Sequence, residues 1–369
     1  MSRAVKQERL CPLCIVSLAL SAVCLGLSLA FRFSQPFAEL FNQAVSAPLR
    51  CLLAAVTTPI PFSLAECLLL LTPVFLFLLI RHAVRYHAHS WRAVGRYTLE
   101  VISLVCVLFI LFTLTFGAPY FTASIDSQDK LDLDRRELST EDLFHSSMYL
   151  AEQVSKQAPL VLFEHQDFSH MPYSYRTLND KLNAAYETFC EQYPFVDSFY
   201  SYAKPVMLSE PMSYTHITGV YSFFTGEANV NVNFPDYTLP FTAAHELAHQ
   251  RGIAREDEAN FIAYLVCISS EDAYIRYSGY LNMFEYVSSA LYQADKELYY
   301  EVRSALPVAV RYELNAYSNF FDRYRDSTAG QISSTVNDSY LKLQGTEGTR
   351  SYGLVVDLAV AYDKKNGHY

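Results

Sequence analysis

The 369 residues are enough for two or three domains, and 51% of them are hydrophobic, including 28 Tyr and 25 Phe. The net charge of −10 is divided unevenly. Residues 1–118 hold nine Lys and Arg against four Asp and Glu, whereas residues 119–369 hold nineteen against thirty-four. The acidic second part argues against nucleic acid as a partner, because phosphate contacts need a cationic surface. The division predicts a membrane anchor in residues 1–118 that carries an extracytoplasmic domain in residues 119–369.

Three apolar stretches in the first part are long enough to cross a bilayer as helices. They cover about 10–31, 62–80 and 99–117. A signal peptide is the alternative for the first stretch, but its length and the two stretches that follow favour a retained helix. Residues 36–60 are predicted to form an interfacial helix or a re-entrant piece outside.

Basic residues flank these stretches on one side. They comprise Arg3, Lys6 and Arg9 before the first stretch and Arg81, Arg85, Arg92 and Arg96 between the second and third. Because basic flanks stay in the cytoplasm, the N-terminus is predicted to be cytoplasmic, and three spans then place the second part outside the cell membrane. The lipid bilayer is therefore a predicted partner.

The second part is predicted to be mostly α, an α+β domain dominated by helices with a small sheet. Two or three short strands are expected between 204 and 234, where β-branched residues alternate among Gly and Asn. Apolar periodicity predicts helices at about 140–157, 175–192, 238–251, 255–269, 270–306, 307–324, 331–343 and 352–363.

The pattern H-E-x-x-H occurs at His245, Glu246 and His249. Residues four apart share one face of a helix, so both imidazoles can bind one Zn²⁺ while Glu246 points at a metal-bound water. A solvated helix that carries the pattern by chance is the alternative. The small apolar residues around the motif instead predict a buried helix, in which His and Glu need partners.

An open, catalytic zinc site needs a third protein ligand, and residues after the motif supply candidates. Glu256 is the first choice and Glu258 the reserve, in an acidic run that fits the start of a second helix. Asn260, four residues after Glu256, is placed to hold a histidine ligand in its tautomer through a hydrogen bond.

His245-Glu-Leu-Ala-His249 followed by Glu256-x-x-Ala-Asn260 resembles the gluzincin arrangement, although the gap before Glu256 is short. The chain is also similar, over nearly its whole length and most specifically in residues 204–280, to a bacterial family of membrane-anchored proteins interpreted as zinc peptidases. That family is known mainly as a domain of unknown function. The segments that carry this similarity are the three apolar stretches, Phe223 to Leu265, Tyr277-Ser-Gly-Tyr280 and Ser351-Tyr-Gly-Leu354.

The resemblance implies a zincin-like domain in which His245, His249 and Glu256 are zinc ligands and Glu246 is the catalytic base. By analogy, an edge strand within residues 213–224 would hold an extended peptide by β-addition. The metzincin subclass is excluded, because Arg255 stands at the position of its last ligand and Arg does not ligate zinc.

The predicted activity is a zinc metallopeptidase with one zinc per chain, in which Glu246 takes a proton from the zinc-bound water. The substrate is expected to be an extracytoplasmic peptide, an envelope protein or a peptidoglycan cross-link. A donor to the oxyanion is also needed. His216, Tyr277 and Tyr352 are candidates, with a purely structural role as the alternative for each.

The sequence also raises two other functions and one disulfide bridge as alternatives. A membrane-tethered binding or sensing module that retains a zinc site is the alternative, but it has no need of a base at Glu246. An intramembrane protease needs the motif within a longer apolar helix than residues 238–251. Cys190 and Cys267 are the two cysteines of the second part, and the sequence leaves open whether they form a bridge.

Overall fold

A computed structural model describes residues 10–87, 90–135, 138–163, 168–346 and 354–369. Within these ranges the protein is mostly helical with two small sheets, which confirms the predicted fold class. The chain divides into two units by its internal packing. The first comprises residues 1–49 and 64–122, and the second comprises residues 50–63 and 123–369. Residues 50–63 thus group with the second unit although they precede the predicted boundary after residue 118.

The first unit contains helices that are long and apolar enough to cross a membrane. They span Pro12–Phe33, Leu64–Arg85 and Trp91–Phe121, which agrees in number and position with the three predicted stretches. Many of their apolar side chains are exposed, as in Leu69 and Phe77, and large exposed apolar surfaces mark membrane or protein contacts. The α-helices before residue 122 begin and end as follows: α1 Pro12–Phe33, α2 Gln35–Phe41, α3 Ala47–Thr57, α4 Leu64–His82 and α5 Trp91–Phe112. Residues 50–57 of α3 belong to the second unit.

The second unit is built from helices whose ends follow local capping. Ser139 accepts a hydrogen bond from the Asp142 N–H while the Asp142 carboxylate accepts one from the Ser139 N–H, and the first helix begins there. The helices are α6 Thr140–Gln157, α7 Tyr175–Gln192, α8 Ser209–Ser213, α9 Leu239–Gln250, α10 Glu256–Ser269, α11 Ala273–Ala294, α12 Lys296–Ala305, α13 Val308–Asp322, α14 Thr328–Leu343 and α15 Val355–Lys365.

The prediction of one helix over 270–306 is wrong, because the chain breaks at Asp295. This residue has an extended backbone, with φ −152°. Its carboxylate accepts hydrogen bonds from the N–H groups of Glu297 and Leu298, at 2.9 and 3.1 Å, and so starts α12 as a new helix.

Five short strands form two sheets. β1 (Leu162–Phe163) and β2 (Ser169–His170) are an antiparallel pair that the sequence did not predict. The second sheet lies in the predicted region and has the order β3-β5-β4, with β3 at Lys204–Pro205, β4 at Gly219–Ser222 and β5 at Glu227–Val230. β5 is parallel to β3 and antiparallel to β4, so β4 lies at an edge.

Helix α9 lies at the centre of the second unit. It packs against β4, β5, α10 and α11. Its residues Ala243, Ala244, Leu247 and Ala248 have no exposed surface, and their small size allows these neighbours to approach the helix closely. The motif helix is therefore buried, as its flanking residues predicted. Cys190 and Cys267 are free thiols in this core.

Candidate metal centre

The two motif histidines lie one turn apart on α9. The helix starts with Pro240 in its first turn, where a missing N–H costs no hydrogen bond. The rings of His245 and His249 meet edge to face, with centroids 4.5 Å apart and planes at 89°. Both side chains are nearly buried, at 12% and 8% exposed.

The third member of the cluster is Glu256, the first residue of α10. Its Oε2 lies 3.3 Å from His245 Nε2 and 3.6 Å from His249 Nε2. Each of the three residues offers one ligand atom, and these atoms all lie within 4.8 Å of one another. Tetrahedral zinc with bonds of 2.0–2.1 Å needs ligand atoms about 3.3 Å apart, so the cluster fits the size of this ion.

Local hydrogen bonding fixes the tautomer of His249. Its Nδ1 lies 2.7 Å from the carbonyl oxygen of Ile253. A carbonyl only accepts, so Nδ1 carries a proton and Nε2 is the ring nitrogen that faces Glu256. Burial lowers the pKa of His249, but the Glu256 carboxylate outweighs it and raises this pKa to about 9.

Asn260 lies beside the other histidine, as predicted for a residue that orients a ligand. Burial and the neighbouring His249 lower the pKa of His245, while Glu256 and Asn260 act in the opposite direction. The Asn260 Nδ2 and His245 Nδ1 atoms are buried and make no hydrogen bond of ordinary geometry with any described residue. The Asn260 amide and the His245 ring are adjacent, and these two nitrogen atoms have no other hydrogen-bond partner among the described residues.

Glu256 is a carboxylate held between two imidazoles. Burial alone would raise its pKa, but His249 and His245 lower it well below the usual range for Glu. The residue therefore keeps the ionised form that binds a metal.

The reserve ligand Glu258 faces another way. Its Oε1 accepts hydrogen bonds from Ser124 Oγ at 2.9 Å and from the Ile125 N–H at 3.1 Å. The same oxygen lies 3.1 Å from Arg255 Nη2. Glu258 therefore fastens residues 124–125 to the start of α10, and its carboxylate is not a member of the three-residue cluster.

Glu246, the predicted base, is buried beside the cluster. Only 3% of it is exposed, and burial raises its pKa to about 8. Its Oε2 has no hydrogen-bond partner among the described residues. Gly219 of β4 lies directly against this carboxylate, and a Cβ at that position would overlap it. The edge strand and the base are thus in contact because position 219 has no side chain.

The outer edge of β4 is defined by the pairing of this strand with β5. The Asn231 N–H donates to the Thr218 carbonyl at 2.8 Å, so this pair is hydrogen-bonded. Pairs alternate along an antiparallel ladder, which directs the backbone groups of Val220 towards β5 and those of Gly219 and Tyr221 away from it. The outward groups begin at the residue that touches Glu246.

Two of the three candidate oxyanion donors, His216 and Tyr277, have other partners and do not join the cluster. His216 Nε2 lies 2.7 Å from the carbonyl oxygen of Tyr324. Tyr277 donates its hydroxyl to Glu313, which is completely buried. Tyr352 lies outside the described residues.

Two other tyrosines lie nearer the site, and the sequence did not predict them as site residues. The Tyr175 hydroxyl is buried without a hydrogen-bond partner in the described chain. Burial raises its pKa well above the usual value, with further contributions from Tyr202 and Glu246. Burial and the Glu256 charge raise the pKa of Tyr286. Nothing in the sequence distinguishes these two among 28 Tyr.

Comparison with known proteins places the chain in one family. The model of a family described as "Protein of unknown function (DUF3810)" matches residues 41–360. The chain belongs to this family. The match includes His245, His249 and Glu256, as well as Glu246 and β4, and it agrees with the resemblance to a family of unknown function. No curated protein and no solved structure matches the chain.

Proposed function

We propose that the protein is a membrane-anchored zinc metallopeptidase. The observation that carries the proposal is the meeting of three ligand atoms from His245, His249 and Glu256 beside the buried carboxylate of Glu246, whose Oε2 has no hydrogen-bond partner among the described residues. A structural zinc site prefers four protein ligands, whereas catalytic sites keep one position open. The described residues supply three, and the Glu246 carboxylate on the same helix has one oxygen, Oε2, without a hydrogen-bond partner among them.

The residues divide the proposed reaction among them. Bound zinc would supply Lewis-acid activation of a water molecule and of the substrate carbonyl. Glu246 would accept the proton of the attacking water and return it to the leaving amine, a task suited to a carboxyl whose pKa burial has raised to about 8. The contact of His249 Nδ1 with Ile253 would leave Nε2 as the nitrogen that binds the metal after losing its proton.

The position of β4 supports a peptide as the substrate. An extended chain pairs with outward N–H and C=O groups of an edge strand, and Gly219 and Tyr221 carry such groups. Since Gly219 touches the Glu246 carboxylate, a chain bound there would bring its peptide bonds past the base. Peptides, envelope proteins and peptidoglycan cross-links all contain amide bonds that fit this arrangement.

Digestion of a randomised peptide library tests the proposal. The full chain, purified in detergent, is expected to cleave peptides, to lose this activity when a chelator removes zinc, and to regain it when zinc returns. The absence of cleavage with zinc present, or cleavage indifferent to the chelator, would reject the peptidase.

We further propose that the second unit lies outside the cytoplasm. The basic residues before α1 and between α4 and α5 support this orientation. A periplasm-dependent reporter fused after Tyr369 should be active, and the same reporter fused after Arg85 should not. The opposite pattern would reverse the topology.

Gly219→Ala is expected to reduce hydrolysis about 100-fold, because a displacement of about 1 Å at a catalytic group has effects of that size. The new Cβ would overlap the Glu246 carboxylate and push it aside, while the zinc ligands stay in place. Hydrolysis and zinc content are measured together. Gly26→Ala is the matched control, since nothing lies within 4 Å of a Cβ at that glycine. Full activity in Gly219→Ala would show that the contact with Glu246 has no catalytic role.

A further inference from the structure

Residues 50–63, here called the intervening segment, lie in sequence between the first two apolar helices but pack in the second unit. A buried lysine holds one end of this segment. Lys204 Nζ donates to the carbonyl oxygens of Thr57 and Phe62, at 2.9 and 3.1 Å. It also pairs with Glu227 at 2.5 Å, and both charged groups are almost completely buried. The intervening segment is thus an integral part of the second unit.

The other end of the intervening segment carries Arg50, which has no exposed surface. Its Nη2 donates to Asp197 Oδ2 at 3.0 Å. The guanidinium also lies against Gly252, where any Cβ would overlap it. Burial of a guanidinium is unfavourable unless its surroundings are arranged around it, and its planar shape then defines a single geometry.

Gly252 belongs to the turn that ends α9, residues 251–254, here called the ligand turn. Its φ of +93° is a conformation that L side chains rarely adopt. The Gly252 N–H donates to the His249 carbonyl at 2.9 Å, and the Ile253 N–H donates to the Ala248 carbonyl at 3.1 Å. The carbonyl of Ile253 then accepts the hydrogen bond from His249 Nδ1. The position of the ligand turn therefore sets the orientation of the His249 ring.

We propose that Arg50 is a positioning residue for the metal centre, acting through the ligand turn on His249. The inference rests on the proposed function, because it takes His249 to be a zinc ligand. Arg50 fills the space beside Gly252, and its ion pair with Asp197, a residue after α7, holds the guanidinium there. The intervening segment thereby contributes to the metal centre without supplying a ligand.

The charge of Arg50 also acts on a side chain of the edge strand. Burial raises the pKa of the Tyr221 hydroxyl to about 12, and the Arg50 charge acts to lower it. Tyr221 is one of the two β4 residues whose backbone groups point away from β5. Arg50 therefore lies against the ligand turn and is close enough to the strand proposed to bind substrate for its charge to act on Tyr221. A fragment that begins at residue 119 lacks this residue and the whole intervening segment.

The test compares Arg50→Lys with Arg325→Met in the full chain in detergent. Lysine keeps the charge, but one ammonium group cannot both pair with Asp197 and cover Gly252. Arg325 is the control because it is exposed and pairs with Asp322 at 2.7 Å on the surface. Zinc affinity is measured by competition with a chromophoric chelator. The ring N–H of His249 is followed by NMR in metal-free protein labelled with ¹⁵N-histidine, and its signal is assigned by its loss in His249→Gln.

Arg50→Lys is expected to weaken zinc binding about tenfold, the effect typical of residues that orient a metal ligand. The His249 ring N–H signal should shift or exchange faster, and Arg325→Met should match the wild type in both measurements. Arg50→Lys with unchanged zinc affinity and an unchanged His249 signal would overturn the proposal. The NMR measurement needs no zinc, so a wild type that binds no metal would reject the proposed function and still leave the role of Arg50 decided.

Discussion

Glu246→Gln is expected to lower hydrolysis by the full chain about 10²–10⁴-fold, the usual contribution of a general base. The amide keeps the size and shape of the side chain but accepts no proton. Zinc should stay bound, because the three ligand atoms belong to other residues. Rates on a peptide identified from the library and zinc content of the same samples check the prediction.

Glu187→Gln is the matched control for this experiment, since Glu187 is an exposed residue of α7. It should retain both activity and zinc. Wild-type activity in Glu246→Gln would show that Glu246 is not the catalytic base. It would favour the alternative function, a tethered binding module with a zinc site.

Glu256→Gln is expected to weaken zinc binding by about 100-fold or more, beyond the range seen when only an orienting residue is lost. An amide is a poor replacement for a carboxylate that burial and two histidines keep ionised. Zinc affinity by chelator competition is the measurement.

The comparison variant is Glu258→Gln, which changes the neighbouring carboxylate by the same atoms. The substitution removes the negative charge that pairs with Arg255 and weakens the hydrogen bonds that this carboxylate accepts from Ser124 and Ile125. The variant should therefore have a lower melting temperature and a zinc affinity close to that of the wild type. Loss of zinc in Glu258→Gln with retention in Glu256→Gln would assign the third ligand to Glu258.

Features that depend on local sequence could be predicted. The helix at 140–157 follows from the reciprocal capping of Ser139 and Asp142, and its bounds agree with α6. The spacing of His245 and His249 places them on one helix face whatever surrounds the helix. Spacing could not decide between Glu256 and Glu258, because the choice depends on contacts of Glu258 with residues more than 130 positions earlier.

Features that depend on distant contacts could not be predicted. The sequence offers Tyr277 as an oxyanion donor, but in the fold its hydroxyl donates to Glu313 instead. The intervening segment has the apolar composition of a membrane-proximal loop, and no local pattern shows that Lys204 binds its carbonyl groups from 147 residues away. Hydrophobic periodicity describes which face of an element is buried but not which element covers it.

Elemental analysis of the full chain, purified in detergent alongside His245→Ala, tests directly whether the protein binds zinc through His245, His249 and Glu256. We expect about one zinc per wild-type chain, bound by two histidines and one carboxylate, and little or no zinc in the variant. A wild-type protein that holds no zinc after zinc is supplied, or a His245→Ala protein that holds as much as the wild type, would contradict this expectation.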